Sequence, residues 1–124
     1  MAKRRRPRLA AIPTITAQRL RRLTKLLHLL QRRPMTRSQL LRQLRMDERT
    51  FYRDLEILRR LAIVVVQEGR LYRLETDLRE AFERLPLPDP KLTLGEAQIL
   101  AQGRTAAHRK LARFLREVLG PPRR

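Results

Sequence analysis

Arg49, Thr50, Tyr52 and Arg53 crowd hydrogen-bonding side chains into the opening of a helix-forming segment. Their spacing suits recognition of a polyanion better than catalysis. Arg49 and Arg53 are one helical turn apart and so project from one face, away from the apolar anchors Phe51 and Leu55. A guanidinium at such a position can donate two hydrogen bonds to guanine O6 and N7 in a DNA major groove, which admits a helix. Thr50 and Tyr52 carry hydroxyls that suit phosphate oxygens, and Arg37, Arg70 and Arg73 are further candidates for the backbone. Lys3, Arg4, Arg5, Arg6 and Arg8 form an arm without apolar periodicity, suited to a minor groove or to nonspecific phosphate contact. Each feature also has a plainer reading: a solvated helix face, an edge strand protected by charge around Arg70 and Arg73, and a solubilising tail.

Enzymatic chemistry is poorly served. The two histidines, His28 and His108, have no partners at catalytic or metal-ligand spacing, and His28 falls at the edge of a leucine-rich helix. No phosphate-cradling glycine loop occurs, and the absence of cysteine excludes disulfides and thiolate sites. Asp54 and Glu56 face different sides of one helix. Asp54 is expected to pair with a neighbouring arginine and orient that helix, and Glu56 either to accept from a cytosine or to pair with Arg53, Arg59 or Arg60. The expectation is a protein without enzymatic activity, cofactor or metal.

Lysine and arginine number 30 against 12 acids among 124 residues, a formal net charge of +18. An excess of that size opposes compaction and attracts a polyanion, whether DNA, RNA or an anionic membrane. Four lysines leave 26 arginines, a preference that a GC-rich genome explains, although it does not explain the excess of base over acid. No stretch reaches the ~18 apolar residues of a membrane span, and the basic start is not followed by an apolar run of secretory length. A cytoplasmic, nucleoid-associated location without membrane contact is therefore expected.

The elements that must position these residues follow from periodicity. Leu20, Leu23, Leu27 and Leu30 predict a first helix over about 16–32, ended by Pro34. Thr36 with Gln39 reads as a capping box opening a short second helix that buries Leu40, Leu41 and Leu44. Arg45 and Met46 make the turn, and Asp47 caps a third helix (about 48–61) with Phe51, Leu55, Leu58 and Leu61 inward. Ile63 to Val66 and Arg70 to Leu74 read as two strands joined by a turn at Gln67-Glu68-Gly69. A further helix over 76–84 is weakly indicated. Three alternating prolines, Pro86, Pro88 and Pro90, forbid helix and mark a linker. Thr93 and Glu96 then cap a helix running to about Gln102, Gly103 interrupts it, and a last helix over 105–119 puts Leu111, Phe114, Leu115 and Val118 on one face.

The run Arg49-Thr50-Phe51-Tyr52-Arg53-Asp54-Leu55, followed by Leu58 and the Ile63-Val64-Val65 strand, resembles the N-terminal winged helix-turn-helix of bacterial WYL-domain transcriptional regulators. It is similar to DeoR-type and biotin-repressor-type modules as well. The resemblance covers about residues 18–74, and Leu92 to Ala97 resembles the helical linker that follows the wing in such proteins. It implies that Arg49, Thr50, Tyr52 and Arg53 face DNA. Three departures stand out. Asp47 replaces the usual hydroxyl cap, the wing is short, and the 124 residues contain no tryptophan, so that a WYL domain is not expected among them. Effector sensing is therefore not carried over, and an effector-sensing partner protein remains open.

The expected fold is mainly α with a small β-hairpin: a winged helix-turn-helix followed by a C-terminal helical extension. Its parts are a basic disordered arm (1–15), the DNA-binding domain (16–75), an acidic and proline-rich linker (76–92) and a helical pair (93–120) that forms a homodimer. The expected function is sequence-specific binding of double-stranded DNA in transcription regulation. Arg49 and Arg53 read bases. The rivals are an RNA-binding or nucleoid protein that makes no base contacts and a winged-helix adaptor for a protein partner.

Overall fold

The computed structural model describes residues 14–120. It contains α1 (Ala17–Arg32), β1 (Met35–Thr36), α2 (Arg37–Leu44), α3 (Glu48–Arg60), β2 (Val65–Glu68), β3 (Leu71–Leu74), α4 (Leu78–Arg84), α5 (Leu94–Leu100) and α6 (Ala106–Leu119). The protein is mainly helical with one small antiparallel sheet, as expected. The arm residues Lys3 to Arg8 lie outside the described residues. The chain divides into two units, Met1–Pro88 and Asp89–Arg124.

Local signals explain the start and end of each element. Thr16 caps α1 by accepting from the Arg19 amide at 3.1 Å. Pro34 ends it, because the residue before a proline is pushed to extended geometry and Arg33 adopts φ −168°. Thr36 and Gln39 close a reciprocal capping box on α2. Arg45 takes the left-handed conformation (φ 51°) to turn the chain into α3. Asp47 caps α3 by accepting from the Thr50 amide at 2.8 Å. The far end of α3 closes as a Schellman motif: the Ile63 amide donates to the Leu58 carbonyl and that of Ala62 to Arg59, with Ala62 at φ 62° where glycine is usual.

The core of the first unit forms where α1, α2, α3 and the sheet converge. Leu23, Leu26, Leu27, Leu40, Phe51, Leu58, Leu61 and Ile63 are buried, and Phe51 packs edge-on against Tyr72 at 5.3 Å. Burial of each such side chain contributes about 1.5–3 kcal/mol. Leu41, Leu44 and Leu55 are only half-buried, while Ile57 joins the inward stripe of α3.

Several expectations are corrected. The sheet has three strands in the order β1-β3-β2, not two. Met35 pairs with Tyr72 and Thr36 with Leu71, so the connection before α2 becomes a short strand on the hairpin edge. Two residues of extended chain carry too little pattern to be read. The turn falls at Gly69-Arg70, with β2 extending through Glu68, which pairs with Leu71. Gly69 has φ 62°, and a glycine in that region opening a two-residue connection suits the right-handed strand twist. The stretch 76–92 is not all linker, since α4 buries Ala81 in the core and Arg84 donates to the Ala62 carbonyl. In the second unit, α5 stops at Leu100, two residues early.

Within that second unit α5 packs against α6. His108 has a local structural role. It closes a capping box in which Thr105 caps α6, with His108 Nδ1 2.6 Å from the Thr105 hydroxyl. His28 is exposed and meets the Phe82 ring edge-on at 5.4 Å.

Candidate nucleic-acid interface

α3 is strongly two-sided. Phe51, Asp54, Ile57 and Leu58 are buried, while Arg49, Tyr52, Arg53, Glu56, Arg59 and Arg60 are exposed. Leucine and phenylalanine on the inner side are what the core selects. Asp54 is a fully buried carboxylate and needs a partner. Arg22 supplies it from α1: its Nε donates to Oδ2 at 2.6 Å and its Nη2 to Oδ1 at 2.9 Å. Arg19 stands 3.8 Å from the same carboxylate. The bidentate bond raises the Arg22 pKa, outweighing the opposing effect of burial. Asp54 therefore pairs across the fold, 32 residues away, and not with an arginine on its own helix.

The expected base-reading residues, Arg49 and Arg53, are both exposed and form no ion pair among the described residues. Arg59 and Arg37 differ. Glu56 is held by Arg59 through two hydrogen bonds, which lowers its pKa. Arg37 donates to Glu48 at 2.9 Å and to the Tyr52 hydroxyl at 2.8 Å. The Tyr52 bond, followed by the Glu48 charge, raises the Arg37 pKa.

The residues expected on the phosphate backbone divide into two groups. Arg37, Tyr52 and Arg70 come together. They line a concavity of about 460 Å³ with Thr36, Ser38 and Gln67, where the start of α2, the middle of α3 and the hairpin meet. Tyr72 forms its inner wall, its pKa pushed up by burial first and by Tyr52 second. The reciprocal capping box engages the amides of Thr36 and Gln39.

Thr50 and Arg73 do not join this group. Thr50 is half-buried, at the boundary of the inward face, because its angular position falls beside Asp54 and Ile57. Arg73 is engaged by Glu68 at 2.6 Å and by Glu75 at 3.6 Å, so its charge is largely spent within the hairpin. Arg70 occupies the turn itself and has no such partner among the described residues.

Sequence reading missed the Arg22–Asp54 pair. One signal was available: Asp54 sits three residues after Phe51 and four before Leu58, inside the apolar arc, where an unpaired carboxylate is too costly to survive. The described residues contain no group of three or more His, Asp or Glu side chains able to hold a metal. None of their helices is long and apolar enough to cross a membrane. Comparison with known proteins finds no matching family model, curated protein or solved structure.

Proposed function

We propose that the protein is a sequence-specific, double-stranded-DNA-binding transcriptional regulator that works as a winged helix-turn-helix. α3 enters the major groove and presents Arg49 and Arg53, while the phosphate backbone beside it is gripped by Arg70, which has no carboxylate among the described residues, and by the Arg37 nitrogens that Glu48 and Tyr52 leave over. One observation carries the reading. Arg49 and Arg53, like Arg60, stay exposed and form no ion pair among the described residues on a helix that is locked from behind, whereas Arg22, Arg37, Arg59, Arg73 and Arg84 each have a carboxylate. Unpaired cations on a helix whose backbone is already fixed are available to a polyanion without first breaking an ion pair, so only their side chains remain to be ordered on binding. The net charge of +18 supports fast association with DNA at low salt.

The test is selection from a random duplex pool at ~150 mM salt, where surface charge is well screened, with wild type and Arg49→Ala/Arg53→Ala in parallel. The expected result is an enriched motif that the double substitution abolishes. A palindromic motif would report pairing of two copies, for which the exposed Ile99, Phe114 and Val118 of residues 93–120 offer apolar surface. Binding without any motif in the wild type overturns base reading in favour of nonspecific nucleic-acid binding.

A further inference from the structure

A second concavity, of about 280 Å³, lies on α3 and is lined by Arg19, Arg53, Glu56 and Ile57. Consecutive helical residues are about 100° apart. Tyr52, on the hairpin-side concavity, and Arg53, on this one, therefore lie to either side of the stripe formed by Arg49, Glu56 and Arg60. The two recesses flank the face that would enter a groove. A helix with its side chains is about 10–12 Å across and the major groove about 12 Å wide, so a helix lying in it has a phosphate strand along each flank.

We infer that Arg19 and Arg53 together seat a backbone phosphate of the second DNA strand, on the flank of α3 opposite the hairpin. The inference rests on the DNA-binding reading above and deepens it by dividing the work of α3: Arg53 serves the backbone and Arg49 reads the base. Three features shape the seat. Arg19 is partly exposed (33% of its side chain) and is held toward α3 by Asp54 at 3.8 Å, which Arg22 already satisfies with two shorter hydrogen bonds. Ile57 is 8% exposed and gives the recess an apolar floor. Glu56, the one carboxylate on the rim, is turned to Arg59 by two hydrogen bonds and so is compensated. Two arginines that line one recess from different helices can supply the paired donors that a phosphate accepts.

The experiment measures the salt dependence of binding of the full chain to a random-sequence duplex, together with motif selection, for wild type, Arg19→Ala, Arg53→Ala, Arg19→Lys and Arg49→Ala. Removing one phosphate contact should lower the slope of log affinity against log salt by about 1, which is a roughly fourfold smaller loss of affinity between 50 and 200 mM. Arg19→Ala and Arg53→Ala should each show this drop and leave any selected motif unchanged. Arg19→Lys should restore the slope, while Arg49→Ala should alter the motif. An unchanged slope in Arg19→Ala, or an altered motif in Arg53→Ala, overturns the assignment. The slope is readable even where no motif emerges, so loss of the base-reading conclusion and loss of this one remain distinguishable. Circular dichroism of each variant guards against unfolding, since Arg22 still satisfies Asp54 when Arg19 is removed.

Discussion

Replacing Arg22 by methionine tests what holds α3 in place. The substitution keeps an unbranched apolar stem but removes both donors from a carboxylate that is fully buried. Only Arg19, at 3.8 Å, would remain beside it. Removing one member of a buried ion pair costs about 3–5 kcal/mol, chiefly because the other charge is stranded away from water. The Arg22 side chain is 21% exposed, and Arg19 offers partial compensation, which argues for the lower end, about 3 kcal/mol. For a body of this size that corresponds to a fall in Tm of roughly 12–24 °C. Tyrosine fluorescence during denaturant unfolding reports it directly, because Tyr52 and Tyr72, the two tyrosines of the chain, both lie in the first unit.

The double substitution Arg22→Met/Asp54→Leu removes both charges and should return to within about 1 kcal/mol of wild type, as apolar replacements of buried pairs often do. The reasoning is refuted if Arg22→Met costs less than about 1 kcal/mol, or if the double variant is as unstable as the single one. If the pair also sets the angle of α3, the proposed function requires the double variant to be stable yet bind DNA more weakly than wild type.

Ala62→Gly should stabilise the first unit by about 0.5–1 kcal/mol, since a left-handed residue closes the Schellman motif there and glycine adopts that conformation without a Cβ clash; the urea midpoint should rise with no change in slope. Gly103→Ala should do the opposite in the second unit. A Cβ there would overlap the His108 ring, displacing the side chain that closes the Thr105 capping box at a cost of about 1 kcal/mol, visible as a shift of the His108 ring proton resonances and lost helicity. The Thr50 cap first, and the charges of Arg49 and Arg53 after it, hold the Asp47 carboxyl below its ordinary value of 3.8. A depressed folded-state pKa contributes stability that is complete above the unfolded value and is lost as pH falls through the folded one. Asp47→Asn should accordingly flatten the decline in urea midpoint on acidification below pH ~4; an equally steep decline would exclude a contribution from Asp47.

Much of this protein was decided by short-range sequence. The leucines of α1, the Thr36–Gln39 and Thr93–Glu96 boxes and the Asp47 cap set helix starts and inward faces, because capping and helical periodicity act within four residues. Exposure of Arg49 and Arg53 followed from the same periodicity, since a helix that buries Phe51 and Leu58 must turn those arginines outward. What the sequence could not decide depends on partners far along the chain. The strand character of Met35–Thr36 exists only because β3 lies beside it, and a two-residue segment has no periodicity of its own. The burial of Ala81 depends on the core that α4 packs against. Arg37 and Arg73 look as available as Arg70 in sequence, and only the tertiary structure brings Glu48, Tyr52 and Glu68 within hydrogen-bonding reach of them. Asp54 chose Arg22 over the arginines of its own helix for a related reason. Its side chain points into the fold, where the neighbours are those of α1, and which guanidinium reaches a buried carboxylate is settled by how two helices cross.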